Sequence, residues 1–514
     1  MRGGTTTPGT PKPPRAQRTP GTPGTPGTPG TPGTPGTPGT QRRGVVAPSV
    51  VWVATRAVLL AFVCKVFTVP GGMDITSDVS VIYHGWFEQL SAGAFPSQDV
   101  TWQYPPAAAL VILSPGLLAG LLDYASAFFV LACAADAAVL ALLLYAVRRR
   151  NPRDARADAA RPRHRAGVWA WVAGVPLLGP TAYARYDLMV TALAVAALLA
   201  ATRHPRMCGM LAGLGAMVKV WPILLLLGTR RGRTTRTVWL TALATAVVLA
   251  AGFAATMPGS LDFLAGQRGR GTEVESVGSL ALHAARYFFD WDGRVLLRYG
   301  SMEFVGSGVR LVTDAAMVVT GACFGWLLLW RLRARTWAPD TPAQASLAAV
   351  LVFVVTSRVL SPQYLIWLVG LAAVCLTLRT GRQALPAWLV LAATGLTQLE
   401  FPVWFTDVVT GEGPGLLVLA VRNALLVAAA VLACGRLWRT TVTGTRKDRA
   451  GSQDGREGRH DEEDQDDGGA DRDGTDGARG GALPGMRGPD GVRPLSPGTD
   501  PGPAAPSHTP ATGR

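Results

Sequence analysis

The stretch DITSDVSVIYHGWFEQLSAGAFPSQDVTWQYPP, from Asp74 to Pro106, lies between two long apolar segments, which predicts a loop at a membrane surface. Apolar residues recur in it at helical spacing, and the polar residues fall mostly on the other side. That pattern predicts a short helix lying in the interface, with its Trp and Tyr side chains at headgroup depth. The apolar residues are Val79, Ile82, Tyr83, Trp86 and Leu90. Pro105 and Pro106 then force a turn into the next apolar run.

Two carboxylates, Asp74 and Asp78, lie close together at the start of this stretch. A carboxylate held at a membrane surface suits a general base that activates a hydroxyl of a lipid-borne substrate. Either residue also suits the cap of the helix that starts near Val79. An ordinary loop between spans is the simplest alternative. All of these interpretations stay open from this stretch alone.

The composition of the chain indicates a polytopic membrane protein. Its 514 residues are 48% hydrophobic and only 16% charged, and the mean hydropathy is +0.24. The charges lie in short clusters between long apolar runs. The net charge of +15 does not indicate a nucleic-acid partner, because Lys and Arg gather at the ends of apolar runs, where they set membrane orientation. The six cysteines all fall inside apolar runs, so neither a disulfide framework nor a zinc site is expected.

The basic clusters also predict the topology. If all of them are cytoplasmic, each interval between neighbouring clusters crosses the membrane an even number of times. The result is an all-α integral membrane fold with about twelve membrane helices, each needing roughly 20 residues for a full span. The predicted spans are 50–70, 125–147, 167–183, 188–202, 238–257, 309–330, 343–356, 362–378, 384–398 and 415–434, with a short hairpin, 207–229, broken at Pro222. The run 105–122 is expected to be juxtamembrane or re-entrant.

Both ends of the chain differ in composition from this membrane domain, which we place at 44–440. Residues 1–43 are dominated by a Gly-Thr-Pro repeat, and 441–514 are rich in Gly, Pro, Asp and Arg. Both are predicted to be disordered cytoplasmic tails. The same topology places every loop with unusual polar or aromatic content on the outer side. These loops are 71–106, 185–187, 258–308, 357–361 and 399–414. The working face is therefore expected to be extracytoplasmic, at the plasma membrane.

Three charged residues of the membrane domain are candidates for substrate binding. Arg185 and Asp187 lie at the outer mouth of a helical pair, where charges are costly unless they are paired or functional. A structural Arg–Asp pair is as good an interpretation as a binding site. Lys219 lies in the apolar hairpin, where it suits an anion such as a lipid phosphate, or else extends to a surface.

Other candidates lie in the outer loops. The loop segment GQRGRGTEVESVGSL carries Arg270, Glu273 and Glu275, so that the glutamates are expected to hold sugar hydroxyls and the arginine to attract phosphate. A solvated loop is the alternative. Arg358, before the helix entrance SPQYLIW, suits bidentate recognition of phosphate. The remaining candidates for substrate binding are Gln363 and Tyr364 in that entrance, and Trp102 and Tyr104 in the WQYPP that closes the first outer loop.

Taken together and in order, these motifs resemble glycosyltransferase family 87. The matching residues are Asp78 to Tyr83, Tyr104-Pro105-Pro106, Lys219 to Pro222, and Ser361 to Trp367, and the resemblance covers roughly 50–435. This family comprises polyprenyl-phosphate-mannose-dependent mannosyltransferases of the GT-C type found in actinobacteria. The resemblance implies a GT-C-type fold and a hexosyltransferase that inverts the anomeric carbon.

The resemblance also implies roles for residues. An aspartate of the first outer loop, Asp78 or Asp74, would be the catalytic base. Lys219, Arg270 or Arg358 would stabilise the leaving phosphate. By the same resemblance, the donor would be a polyprenyl-phosphate sugar, with mannose as the sugar, and the acceptor a glycolipid or glycan hydroxyl. No metal or other cofactor is expected.

Two other functions remain as alternatives. A transporter or lipid flippase would place charges and broken helices near the midplane and often shows internal repeats. This chain has one broken hairpin, no evident repeat and charges at one face, which favours the enzyme. A membrane scaffold acting through its tails would lose function when 1–43 and 444–514 are deleted, whereas an enzyme should keep it.

Overall fold

Apolar helices form most of the protein in its computed structural model, which describes residues 38–70, 72–148, 165–266, 269–378 and 382–444. The α-helices are α1 (Pro38–Val63), α2 (His84–Ser91), α3 (Ala108–Leu113), α4 (Tyr124–Arg148), α5 (Ala166–Leu178), α6 (Asp187–Ala200), α7 (Pro205–Val218), α8 (Arg233–Thr256), α9 (Phe263–Gly266), α10 (Ser279–Phe288), α11 (Val309–Arg333), α12 (Thr341–Thr356), α13 (Tyr364–Thr377), α14 (Ala384–Gln398), α15 (Phe405–Thr410) and α16 (Gly413–Trp438). Short 3₁₀ and π-helical segments extend or join several of them.

The helices confirm the all-α membrane class. In the described ranges, six helical segments are long and apolar enough to cross a membrane: Val46–Val63, Tyr124–Arg148, Arg233–Thr256, Val309–Arg333, Ala384–Val403 and Gly413–Thr443. Five further apolar helices are shorter: Ala108–Leu118, Ala166–Ala182, Asp187–Ala200, Thr341–Thr356 and Tyr364–Thr377. All of these segments overlap predicted spans except Ala108–Leu118, which lies in the run predicted to be juxtamembrane or re-entrant. The total of about twelve membrane helices stays a prediction.

The predicted tails fall largely outside the described residues, since 1–37 and 445–514 are not described, and nor is the basic segment 149–164. Their disorder therefore stays a prediction. Helix α1 begins at Pro38, inside the predicted first tail, and proline suits the first turn of a helix. The helix ends at Val63, before the predicted end at Pro70, and Lys65 follows with a positive φ of 60°.

The predicted interfacial helix exists as a π-helical turn, Asp78–Tyr83, that continues into α2. The prediction that its aromatic side chains face the lipid headgroups was wrong, because they face the protein interior. Tyr83 and Trp86 are buried in the protein, stacked with their ring centroids 5.5 Å apart. The Nε1 of Trp86 donates a hydrogen bond to Asp99, at 2.7 Å. An amphipathic pattern requires an apolar environment, which here is the protein rather than lipid.

The predicted hairpin is present, and its break lies at Lys219. Helix α7 stops at Val218, and Lys219 is extended, with φ −153° and ψ 131°. The second arm, Trp221–Gly228, is a 3₁₀ helix with Pro222 in its first turn. The run after Pro106 forms α3 of six residues and a five-residue 3₁₀ segment. At about 1.5–2.0 Å per residue, this run is too short to span a bilayer.

A small antiparallel sheet in the loop 258–308 was not predicted. Its strands are β1 (Thr272–Glu273), β2 (Arg294–Arg298) and β3 (Ser301–Val305), in the order β1-β3-β2. Tyr299 and Gly300 make the β2–β3 turn with φ values of 51° and 74°, as a two-residue hairpin with two positive φ angles requires. A satellite core beneath the sheet joins it to the end of the bundle through Val274, Leu282, Phe304, Val309, Val408 and Leu419.

A buried ion pair ties three helices together inside the bundle. Asp136 on α4 accepts hydrogen bonds from Arg56 of α1 and from Trp171 of α5, each at 2.7 Å. The hydroxyl of Tyr183 and the indole of Trp52 donate to the same carboxylate, at 2.7 and 2.9 Å. Because its oxygens have these donors, the carboxylate is tolerated in the apolar interior.

Helices α7 and α8 pack closely because small residues lie between them. A Cβ added at Gly213 would lie 2.6 Å from the carbonyl oxygen of Ala242, and one at Gly209 would meet Thr241 and the carbonyl of Val238. Two small residues four positions apart are a common seam between membrane helices. The hairpin that carries Lys219 is fixed to the bundle through this seam.

We expect Gly213→Ala to lower the free energy of unfolding by about 1–3 kcal/mol, because the backbone of α8 cannot yield to the added methyl group. Thermal unfolding in detergent measures the effect. Gly252→Ala on α8 is the matched control, since a Cβ there meets nothing within 4 Å. Equal melting of the two variants would show that the seam is not tight.

Candidate functional site

One cavity of about 410 Å³ lies where the predicted outer loops meet. All five loops that the topology placed on one side contribute side chains to its wall. Its lining includes Asp78 and Tyr104 from 71–106, Arg185 from 185–187, Arg270, Glu273 and Glu275 from 258–308, Ser361 from 357–361, and Phe401 and Phe405 from 399–414. Lys219, Gln363 and Tyr364 also line it.

An ion pair between Asp78 and Arg185 forms one part of the wall. Arg185 Nη2 lies 3.0 Å from Asp78 Oδ2, and their side chains are 13% and 30% exposed. Arg185 also donates to the carbonyl oxygens of Ile75 and Ala184, at 3.2 and 2.7 Å. Burial lowers the pKa of Arg185, but the charge of Asp78 and the other acidic groups around it together outweigh burial, so the net pKa is raised. The guanidinium therefore stays charged and holds the Asp78 carboxylate at the cavity.

A second ion pair, between Lys219 and Asp187, lies deeper. Lys219 Nζ is 2.7 Å from Asp187 Oδ1, and the same oxygen accepts a hydrogen bond of 2.6 Å from Trp367 Nε1. Four rings surround the ammonium group, with centroids 4.9–5.6 Å away: Tyr104, Tyr186, Tyr364 and Trp367. Aromatic faces attract a cation at this range. Lys219 therefore points into the protein and does not extend to a surface.

The small sheet supplies the next charged groups. Arg270 Nε lies 3.4 Å from Glu303 Oε1, and its Nη2 donates to Ser301 at 3.0 Å. Glu273 accepts hydrogen bonds from the backbone N–H of Leu360 at 2.6 Å and from the hydroxyl of Ser361 at 3.0 Å. Burial raises the pKa of Glu273, and the charge of Arg270 opposes that shift. The loop 258–308 is thus bonded to the entrance of α13.

A third carboxylate of the wall, Glu275, belongs to a buried cluster. Arg422 Nη2 on α16 lies 3.8 Å from Glu275 Oε1 and 3.6 Å from Glu400 Oε2. All three residues are buried.

Among the described residues, no group of three or more His, Cys, Asp or Glu side chains is placed to hold a metal ion.

Comparison with family models gives a match to "Glycosyltransferase family 87" over residues 102–362, about half of the chain. The chain belongs to this family. Comparison with curated proteins finds no relative. Among solved structures, the chain is similar to ArnT from Cupriavidus metallidurans bound to undecaprenyl phosphate, at 13% identity and a TM-score of 0.36, covering 78% of this chain and 77% of that one. Membership of family 87, together with the long apolar helices of the described residues, makes the protein a multi-pass membrane glycosyltransferase, as the sequence motifs predicted.

Four of the predicted site residues of this glycosyltransferase do not line the cavity. Asp74 is exposed, where it pairs with Lys65 at 2.9 Å, and hydrogen bonds from Thr76 lower its pKa. Trp102 is buried behind the wall and donates to the carbonyl of Tyr104 at 2.9 Å. Asp187 lies behind Lys219. Arg358 lies outside the wall, and its carbonyl accepts a hydrogen bond from the N–H of Glu273.

The expected Arg185–Asp187 pair does not form. Arg185 pairs with Asp78 instead, and Asp187 pairs with Lys219. Arg185 lies just before α6 and Asp187 is the first residue of that helix, so their side chains point in different directions. Asp78 also does not cap its helix, because it is the first helical residue and the N-cap position is held by Ser77.

Sequence reasoning missed several residues of the site. Glu400 and Arg422 are charged residues within apolar helical segments, and charges there are usually functional or paired, so that signal was present. Glu303 and Tyr299 come from the unpredicted sheet. Tyr186, between Arg185 and Asp187, lies 4.9 Å from Lys219 and had no signal of its own.

We expect Asp187→Asn to destabilise the enzyme by about 3–5 kcal/mol, because Lys219 would remain buried and uncompensated. Denaturation in nanodiscs, followed by Trp fluorescence, measures the loss. Asp314→Asn, which breaks an exposed pair with Arg310, is the matched control and should cost about 0.5 kcal/mol or less. A similar small loss in both variants would mean that Lys219 finds another partner.

Proposed function

We propose that this enzyme transfers a hexose, mannose by the family resemblance, from a polyprenyl-phosphate donor to an acceptor hydroxyl on the extracytoplasmic side of the plasma membrane. The observation that carries the proposal is that a partly exposed carboxylate, Asp78, and three cations, Arg185, Lys219 and Arg270, line the same cavity. A base and an electrostatic clamp are the two parts that such a transfer needs.

In the proposed reaction Asp78 is the general base. The acceptor oxygen attacks the anomeric carbon while its proton passes to the Asp78 carboxylate. The bond between the anomeric carbon and the phosphate oxygen breaks, and the electron pair leaves with the polyprenyl phosphate. A single displacement of this kind inverts the configuration. The proposed mechanism has no step that uses a metal ion.

Support for a phosphate subsite comes from the surroundings of Lys219. Trp221, which lines the cavity, and Tyr186 are buried, and neither Trp221 Nε1 nor the Tyr186 hydroxyl has a hydrogen-bond partner among the described residues. Buried donors without an acceptor are costly and are usually satisfied by a ligand or water. Two such donors near an ammonium group suit the oxygens of a phosphate. Arg270 adds a guanidinium at the same cavity.

We expect Asp78→Asn to lower kcat by about 10²–10⁴-fold, the usual contribution of a general base. The assay uses purified protein in nanodiscs, radiolabelled polyprenyl-phosphate mannose and a membrane lipid extract as the source of acceptor. Asp74→Asn is the matched control. It removes an aspartate from the same loop, but one that pairs with Lys65 outside the cavity, so its activity should be close to wild type.

Retained activity in Asp78→Asn would contradict the assignment of the base. Loss in Asp74→Asn alone would move the base to that residue. A wild-type protein that neither binds nor consumes any of several lipid-linked sugars would contradict the proposed function and favour transport. Size-exclusion elution and the melting temperature of each variant show whether it is folded.

We expect the cavity loops to be accessible from outside the cell. In a chain whose six native cysteines are replaced by serine, a membrane-impermeant maleimide should label Asp292→Cys in intact cells. Arg335→Cys, in a basic cluster predicted to be cytoplasmic, should be labelled only after lysis. Both positions are exposed. The reverse pattern would place the active site on the cytoplasmic side.

A further inference from the structure

A buried cluster of Glu275, Glu400 and Arg422 lies at the edge of the cavity, and the proposed reaction gives it no role. Glu275 lines the cavity and is 3% exposed, whereas Glu400 and Arg422 are fully buried. A single nitrogen, Arg422 Nη2, lies 3.8 Å from Glu275 Oε1 and 3.6 Å from Glu400 Oε2. One guanidinium thus faces two carboxyl groups at distances beyond a good hydrogen bond.

Hydrogen bonding in this cluster is incomplete. Oε1 of Glu275 and both side-chain oxygens of Glu400 are buried and have no hydrogen-bond partner among the described residues. Nε and Nη1 of Arg422 also lack one. A buried polar group without a hydrogen-bond partner is costly, and a charged group is more so. Two ionised carboxylates cannot relieve this cost for each other, because both only accept hydrogen bonds.

The backbone around Glu275 is nevertheless firmly held. Arg422 Nη2 and Asn423 Nδ2 donate to the carbonyl oxygen of Glu275, at 3.2 and 3.3 Å. His283 Nε2 on α10 lies 2.9 Å from the carbonyl oxygen of Val274. The backbone of Glu275 is therefore fixed beside Arg422, and the charge of Glu273 on the same loop also acts on the Glu275 carboxyl group.

We propose that Glu275 and Glu400 share one proton beside Arg422, so that Glu275 meets the substrate as a neutral carboxyl group. A proton on one carboxyl group turns it into a donor to the other, which satisfies oxygens that are otherwise without a partner. It also balances the cluster, since one remaining negative charge faces one guanidinium. Consistent with this, burial and the charges of Glu400 and Glu273 raise the pKa of Glu275 well above its ordinary value.

The consequence for substrate binding, which rests on the proposed function, concerns charge. A second ionised carboxylate here would repel an anionic donor entering the cavity, whereas a neutral carboxyl group does not. With its proton engaged by Glu400, the neutral carboxyl group can still accept a hydrogen bond from a sugar hydroxyl. Glu400 does not line the cavity and is a positioning residue, because it acts through Glu275.

The test is infrared spectroscopy of the full-length protein in nanodiscs, without any substrate. Protonated carboxyl groups have a carbonyl stretching band that carboxylates lack. We expect the wild type to show such a band at neutral pH, and both Glu275→Gln and Glu400→Gln to lose the same component of it. Each variant leaves a single carboxylate, which Arg422 then neutralises. Glu400→Asp should restore the band, and Glu412→Gln, at an exposed carboxylate, should leave it unchanged.

Loss of the component in only one of the two Gln variants, or its absence from the wild type, would overturn the shared proton. The melting temperature of each variant checks its fold. In the transfer assay, Glu400→Gln should raise the donor KM at neutral pH more than it changes kcat, and an unchanged KM would contradict the role in binding. If no sugar is transferred at all, the proposed function fails, whereas the infrared result still decides the shared proton.

Discussion

The site depends on the ion pair between Lys219 and Asp187. Lys219 ends the first arm of the hairpin, Asp187 begins α6, and Trp367 of α13 donates to the same carboxylate oxygen. In an apolar interior either charge alone would cost several kcal/mol. The hairpin and α6 therefore have to stay together at this ion pair, because separating them would leave a buried charge unpaired. The aromatic rings around the ammonium group complete a cation site that no water needs to solvate.

The other charges at the cavity follow the same arrangement. Asp78 pairs with Arg185, and Arg270 pairs with Glu303, so every cation that lines the wall is held by a carboxylate from a distant part of the chain. Fixed charges of this kind need little reorganisation when negative charge develops on a leaving group. For a glycosyltransferase of this family, that property is more useful than a larger but mobile excess of positive charge.

The helices and the loops that form the cavity were predictable, because hydropathy and basic clusters depend only on local sequence. The partners of the charged residues were not. Arg185 and Asp187 are neighbours in sequence, yet each pairs across the fold, and only tertiary packing decides that. The amphipathic turn at Tyr83 and Trp86 was predicted as a helix but assigned to the wrong environment, since periodicity does not distinguish lipid from protein. The sheet was missed because its Tyr-Gly turn lacks the usual Asn-Gly signal.

The register of that sheet places Glu273 of β1 directly opposite Glu303 of β3. Like charges opposite each other destabilise a strand pair. Because β1 has only two residues, few strand-pairing contacts are available to offset this repulsion. Arg270, which precedes β1 and contacts Glu303, offsets that repulsion. A slip of one residue would turn Glu273 to the other face and separate Glu303 from its partner. Alignment of this strand, and with it the position of the cavity glutamates, is therefore supported by the Arg270 guanidinium and by the hydrogen bonds of Glu273 to Leu360 and Ser361 rather than by strand length.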